Sequence, residues 1–328
     1  MTNQIKILLT EFTDTPEAAL LALAQVGEVT KKDIQAAELP WAFAHFDVFW
    51  LRMKFKITEE LLRMPNRRTS IIVCPFTGLD HIDRETCDEL GIQVISLGTD
   101  TELLKDVRST AELTMGLTLA LMRKIPQASA SVKTGEWYRA PYKGADIVGK
   151  TVGIIGVGRL GKMVAHCFQA FGAQVQGYGR SLIEATGVRQ IDSLEKLVAT
   201  SDIISIHIGY DESTHHLVDE TLLSHFKKGA FLINTSRGAV IDSNALIKAL
   251  ENDWLAGAAL DVIENEYDAS KSTLIAYAKT HDNLLITPHI GGFTTDSFAK
   301  TDTIVAHKLI ALLNHETVDA SQSICYEI

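Results

Sequence analysis

The chain has 328 residues, 46% of them hydrophobic and 22% charged, which suits two cores of ordinary domain size better than one. A formal net charge of -10 repels phosphate backbones and anionic headgroups, so nucleic acid and membrane surfaces are poor partners and small molecules better ones. The opening MTNQIKILLTEFTD has no basic region before its short apolar run, and no stretch reaches the ~18 uninterrupted apolar residues of a membrane span; a cytoplasmic protein is expected.

Short β-branched runs alternate with longer amphipathic stretches throughout, so the fold class is α/β, with parallel sheets covered by helices. In the first hundred residues IKILLT from Ile5, FDVFWL from Phe46, SIIVC from Ser70 and IQVIS from Ile92 read as strands of a small doubly wound domain. Three- and four-residue spacing then predicts one long helix over 103–131, able to bridge two domains and ended before Gly135 by the turn-rich EWYRAPYKGADIVGK. A second strand series runs TVGIIGVG from Thr151, then AQVQGY, DIISIHIG, AFLINTS, LAGAALDV and NLLITPH. Several are apolar throughout, as strands covered on both faces should be. A closing helix over about 293–313 returns to the first domain before a short polar tail. Cys74, Cys87, Cys167 and Cys325 lie far apart with no C-x-x-C pair, which favours reduced thiols over a zinc or disulfide framework.

Gly156, Gly158 and Gly161 form G-V-G-R-L-G between the strand TVGII and the helical pattern KMVAHCFQAFG. The first glycine permits a tight turn, the second lets backbone approach a pyrophosphate, the third lets helix pack on strand, and the helix start offers N–H groups to phosphate. An NAD site places an acid at the end of the next strand, to hold the adenine ribose hydroxyls. Here AQVQGY is followed by Gly179, Arg180 and Ser181. A guanidinium without a neighbouring carboxylate points toward the 2′-phosphate of NADP, while an Arg180 that is simply solvated leaves NAD.

Three polar residues sit at the ends of apolar strands, at the carboxyl edge where open α/β sheets bind ligands: Arg237 in NTSRGAVID, Glu266 in ALDVIENEY and His289 in ITPHIGG. Arg237 has the planar fork that suits a carboxylate. Histidine exchanges a proton near neutral pH, which suits His289 to acid–base work, and Glu266 would fix the imidazole's tautomer and favour its protonated form. In the first domain, Arg52 and Lys54 after FDVFWL either meet a second acidic group on a substrate or are solvated surface residues.

Taken together, G-V-G-R-L-G, NTSRG, ALDV ending at Val262 and TPHIGG resemble the D-isomer-specific 2-hydroxyacid dehydrogenase family over most of the chain. Intervals of 29 and 23 residues between Arg237, Glu266 and His289 reproduce that family's catalytic spacing. The resemblance implies a flavodoxin-like substrate domain over 1–105 and 293–328, a Rossmann nucleotide-binding domain over 106–292, an active site in the cleft between them, and a homodimer built through the nucleotide domain. It implies NAD or NADP as cofactor and a small 2-keto or 2-hydroxy acid as substrate. It places Asp261 near the nicotinamide amide, the other role open to a strand-end Asp being to cap a turn, and His207 near the nicotinamide ribose, although the family's usual Pro two residues after that histidine is Gly209 here. The matched motifs add Arg159, Leu160, Thr235, Ser236 and Gly291 to the cofactor set, and the turn TGLDHID makes Thr77, Gly78 and Leu79 the backbone receptor of the substrate carboxylate.

The family's frequent Pro after the catalytic Glu is Tyr267, and the segments up to Ala278 and around GTDTELLKDVRSTAE also diverge, which weakens any transfer of substrate identity. At 328 residues, an appended regulatory domain is not expected. Two other readings share the fold: a cofactor-sensing interaction protein of the corepressor type, and a formate or phosphite oxidase.

Overall fold

A computed structural model describes residues 4–98 and 102–314. The polar tail and Cys325 lie outside the described residues. The chain divides into two compact units, Met1–Val107 with Thr294–Ile328, and Arg108–Phe293.

In the first unit, β1 (Lys6–Leu9), β2 (Glu28–Lys31), β3 (Val48–Trp50), β4 (Ile71–Cys74) and β5 (Gln93–Ser96) form a parallel sheet in the order β2-β1-β3-β4-β5. This is the flavodoxin-like doubly wound order. Alternation along the three central strands sends Leu8, Phe49 and Ile72 into one core and Ile7, Leu9, Val48, Trp50 and Val73 into the other, so both faces are buried there and these strands read as apolar runs. The helix Thr295–Leu313 covers the second face through Val305, Ala306 and Leu309. Thr294 starts it by accepting from Ser297 N at 3.1 Å.

Arg52 belongs to this packing, which corrects both expectations for it. Its side chain is 3% exposed; Nη2 donates to Asp302 Oδ2 of the closing helix at 2.7 Å, and the guanidinium lies 3.7 Å from the Phe298 ring centroid. It is neither solvated nor presented to a ligand. Burial pushes the Asp302 carboxyl up to about 6 against the pull of Arg52. Lys54 is exposed and donates to Ile34 O at 2.6 Å.

The second unit holds β6 (Thr151–Ile155), β7 (Gln174–Tyr178), β8 (Val188–Gln190), β9 (Ile203–Ile206), β10 (Ala230–Asn234), β11 (Leu255–Leu260) and β12 (Leu284–Ile286), all parallel, in the order β12-β11-β10-β9-β6-β7-β8. Counted from β6 this is the Rossmann order with a seventh strand, and its direction reverses between β6 and β9. Six of these strands follow the sequence reading. The additional strands, β2 and β8, are the sheet-edge strands EVTK and VRQ, which are too exposed to show an apolar run.

The single helix expected over 103–131 is two helices, Ser109–Met122 and Ile125–Lys133. Pro126 has no N–H to give the Met122 carbonyl and its ring crowds that oxygen, so the first helix stops there. Lys124 turns the chain at φ 52, and Met122 O accepts from Ala145 N at 3.2 Å instead. No helix among the described residues is long and apolar enough to cross a membrane.

Candidate active site

At the reversal point, Gly156 (φ 91) leaves β6 with no room for a side chain, since a Cβ there would lie 2.6 Å from His207 O and 2.5 Å from Ile208 Cγ2. A Cβ on Gly161 would meet Gly156 O at 2.1 Å, so its absence lets the helix Arg159–Ala170 sit on the turn. Gly158, the residue before that helix, faces open space, with nothing within 4 Å of its Cβ position. Two glycines are thus required by packing and one leaves room, with a twelve-residue helix directing its N-terminus there. Arg159 and Leu160 form the first partly buried turn of that helix.

His207 follows β9 directly and lies beside Gly156. Its Nε2 pairs with Ser205 Oγ at 2.7 Å, while Nδ1 is buried without a hydrogen-bond partner among the described residues. Burial lowers its pKa to about 4, so it stands neutral at pH 7. Gly179 after β7 leaves its surroundings open, with only two backbone atoms at 3.9 and 4.0 Å from its Cβ position. Arg180 is 73% exposed; Nη2 donates to Ser213 Oγ at 2.6 Å and lies 3.4 Å from Asp211 Oδ2. Arg180 therefore does have a carboxylate beside it, supplied by the loop after β9, which corrects the expectation of a guanidinium without one. Open space at Gly158, an orphaned ring nitrogen at His207 and an oriented helix start fit a dinucleotide.

The His289 loop is built by Asp261 at the end of β11. Its Oδ1 accepts from Thr287 Oγ1 at 2.6 Å and Ile290 N at 2.9 Å, Oδ2 accepts from Gly291 N at 2.7 Å, and its carbonyl accepts from His289 N at 2.8 Å. These bonds hold His289 at φ 54, a left-handed conformation a non-glycine residue seldom adopts without such support. Of the two roles the sequence left for Asp261, turn closure is the one this geometry displays. Burial raises its pKa against the pull of those hydrogen bonds. His289 Nδ1 lies 2.7 Å from Glu266 Oε2, with both side chains about 30% exposed. The carboxylate can only accept, so Nδ1 carries the shared proton and Nε2 remains available.

Arg237 follows β10 in a turn organised by a residue the sequence reading passed over. Asn234 is fully buried; its Oδ1 accepts from Ser236 N at 2.9 Å and Ser236 Oγ at 2.7 Å, and its Nδ2 donates to Arg237 O at 2.9 Å. Thr235 Oγ1 lies 2.9 Å from Thr114 Oγ1, and Arg237 Nη1 donates to Ser236 O at 2.8 Å. A Cβ on Gly238 would fall 1.9 Å from Ile263 C and 2.4 Å from Glu264 N. Contact at that glycine brings the Arg237 turn against the segment that leads into Glu266. Both Asn234 and Gly238 were visible inside NTSRG, but nothing in the sequence named their neighbours.

A cavity of about 600 Å³ flanks Glu266, lined also by Asp261, Thr287, Ala269 and His281; Arg237 and the glycine turn do not line it. In the first unit, Thr77 is exposed and Gly78 and Leu79 are half-buried after β4. Their N–H groups donate to no acceptor among the described residues, an arrangement able to receive a carboxylate.

Sheet order, glycine turn and the open space at the reversal point define a dinucleotide-binding α/β protein. A sequence model of the "D-isomer specific 2-hydroxyacid dehydrogenase, NAD binding domain" matches residues 115–291. The D-3-phosphoglycerate dehydrogenase of Methanocaldococcus jannaschii is 35% identical over 320 residues, covering 96% of this chain and 59% of that protein. Glyoxylate reductase of Aeropyrum pernix is 36% identical over 275 residues, covering 78% of this chain and 79% of that one. The structure of D-lactate dehydrogenase from Aquifex aeolicus with NAD and lactic acid superposes with a TM-score of 0.79 at 28% identity, covering 95% and 96% of the two chains. This chain belongs to the D-isomer-specific 2-hydroxyacid dehydrogenase family. It spans about three fifths of the length of the archaeal phosphoglycerate dehydrogenase, 59%.

Proposed function

We propose that the protein is an NAD(P)-dependent D-2-hydroxyacid dehydrogenase that interconverts a small 2-keto acid and its 2-hydroxy acid. The observation that carries the reading is the His289–Glu266 pair at 2.7 Å, on a loop pinned by Asp261 within a dinucleotide-binding fold.

Gly156, Gly158 and Gly161, with the helix start at Arg159 and Leu160, would hold the pyrophosphate, and His207, Thr235, Ser236 and Gly291 would line the remainder. The nicotinamide cofactor supplies the hydride chemistry at the substrate's C2. Arg237 binds the substrate carboxylate and keto oxygen through its fork, fixing C2 in place and countering charge on the oxygen. In reduction, His289 Nε2 gives its proton to the carbonyl oxygen as the hydroxyl forms; in oxidation the same nitrogen takes the hydroxyl proton back. Glu266, accepting at Nδ1, stabilises the imidazolium and holds the ring so that Nε2 presents the proton. The N–H groups of Thr77, Gly78 and Leu79 offer a carboxylate cradle on the first unit. Open space at Gly179 and the exposed guanidinium of Arg180 support acceptance of NADP(H), with Arg180 leaving its 3.4 Å partner Asp211 for a 2′-phosphate.

The test follows oxidation of NADH and NADPH with glyoxylate, hydroxypyruvate, pyruvate and larger 2-keto acids, in the parent, His289→Ala and Glu266→Gln. Turnover that falls by roughly 10²–10⁴ in His289→Ala and by a smaller factor in Glu266→Gln is expected. Cofactor binding without turnover on any acid, or full activity in His289→Ala, would overturn the assignment.

A further inference from the structure

Outside this machinery, the loop after β9 carries a group of side chains that dehydrogenase chemistry does not use. His215 and His216 are consecutive, yet their rings stack with centroids 3.9 Å apart and planes 21° from parallel. Neighbouring residues in extended chain point to opposite sides; His216 sits at φ 49, which brings both rings to one side. The turn is anchored by His216 N donating to Ala239 O at 2.9 Å and Val218 N to Val240 O at 3.0 Å. Segment 238–241 in turn lies against Ile263 and Glu264 through Gly238. Glu264 thereby reaches the histidines: its Oε2 lies 3.3 Å from His216 Nε2, and one donor atom from each of His215, His216 and Glu264 falls within 4.8 Å of the others. Tyr210 Oη lies 3.3 Å from His215 Nδ1, which leaves Nε2 as that ring's open nitrogen.

We propose that His215, His216 and Glu264 bind a divalent cation of the zinc class. Two imidazoles and one carboxylate suit Zn2+ and its late transition-metal neighbours, whereas Mg2+ and Ca2+ prefer all-oxygen sets. Bonds of ~2.0–2.2 Å require the three donors to draw together by rotation of side chains. His215 is exposed and His216 and Glu264 are half-buried, so these rotations meet little obstruction. Three protein donors leave a fourth tetrahedral position for water. The metal would join the loop after β9 to the segment leading into Glu266, both in the second unit, and reinforce the His216–Glu264 contact already there.

The test titrates the chelator-treated full chain with zinc chloride against a chromophoric chelator. One site is expected, weakened by roughly ten-fold or more in each of His215→Ala, His216→Ala and Glu264→Gln. It should be unchanged in His45→Ala and should not be displaced by magnesium. Zinc-edge X-ray absorption should show two imidazole ligands. Thermal midpoints of the metal-free variants separate lost binding from lost folding, and if His216→Ala does not fold, the isosteric Glu264→Gln decides. Absence of binding overturns the proposal, as does affinity unchanged in the three variants, which would place zinc elsewhere among the 11 histidines. Equal competition by magnesium would overturn the assigned metal class.

Discussion

Replacing Gly238 by alanine tests whether the Arg237 turn and the Glu266 segment are one mechanical unit. The added Cβ would lie 1.9 Å from Ile263 C, 2.1 Å from Ile263 O and 2.4 Å from Glu264 N, all backbone atoms with no rotamer to escape into. Restoring ordinary contact at 3.4 Å requires a local separation of about 1.5 Å. Overpacking of this kind costs about 1–3 kcal/mol. For a unit of this size about 2 kcal/mol lowers Tm by roughly 4–8 °C. Because the displaced peptide lies two residues from Glu266, the His289–Glu266 geometry should loosen, and a misplacement of about 1 Å costs on the order of 10² in kcat/KM. Thermal melting by circular dichroism and steady-state kinetics read the two effects separately. Gly116→Ala is the control: it lies inside the helix Ser109–Met122 with nothing within 4 Å of its Cβ position, and should gain about 0.5–1 kcal/mol with activity unchanged. Parent-like Tm and kcat/KM in Gly238→Ala would refute the close contact. A lowered Tm with parent-like kcat/KM in the folded enzyme would refute its coupling to Glu266.

Arg180→Ala should raise the dissociation constant of NADPH by roughly 10–100-fold, the loss of a charge-assisted contact, and change that of NADH less than about three-fold; equal losses for both, by fluorescence titration, would rule out a 2′-phosphate role. His207, held near a pKa of about 4 by burial, makes the folded state bind fewer protons than the unfolded state between pH ~4 and ~6.5. Its contribution therefore falls away as pH drops through that window. Urea midpoints of His207→Gln should be less acid-sensitive there than those of the parent, and parallel pH profiles would contradict the burial. Arg52→Met should cost about 3–5 kcal/mol at pH 8 by stranding Asp302 in the core. The loss should shrink toward pH 5, where Asp302, pushed up to about 6, takes a proton; a loss under about 1 kcal/mol at pH 8 would show that the pair does not hold the closing helix.

What the residues determined by themselves were the features with a local cause. Strands buried on both faces are apolar over most of their length, so β1, β3, β4 and most strands of the second sheet were legible as runs. The glycine turn was legible because tight turning and close approach admit no other residue at Gly156 and Gly161. Glu266 and His289, paired in the sequence reading on the strength of the family resemblance, lie with Oε2 and Nδ1 2.7 Å apart. Tertiary structure decided whatever depended on a distant neighbour. Arg52 reads as surface in FDVFWLR until a helix 250 residues later brings Asp302 and Phe298 to it. Edge strands β2 and β8 take their conformation from the one neighbour they pair with, since half their surface meets solvent and leaves no apolar signature. Asp261 became the tether of the His289 loop because three donors from beyond β12 converge on it. His215, His216 and Glu264 are polar residues on two separated loops, without a sequence pattern; only a left-handed turn and the contact at Gly238 bring their donor atoms together.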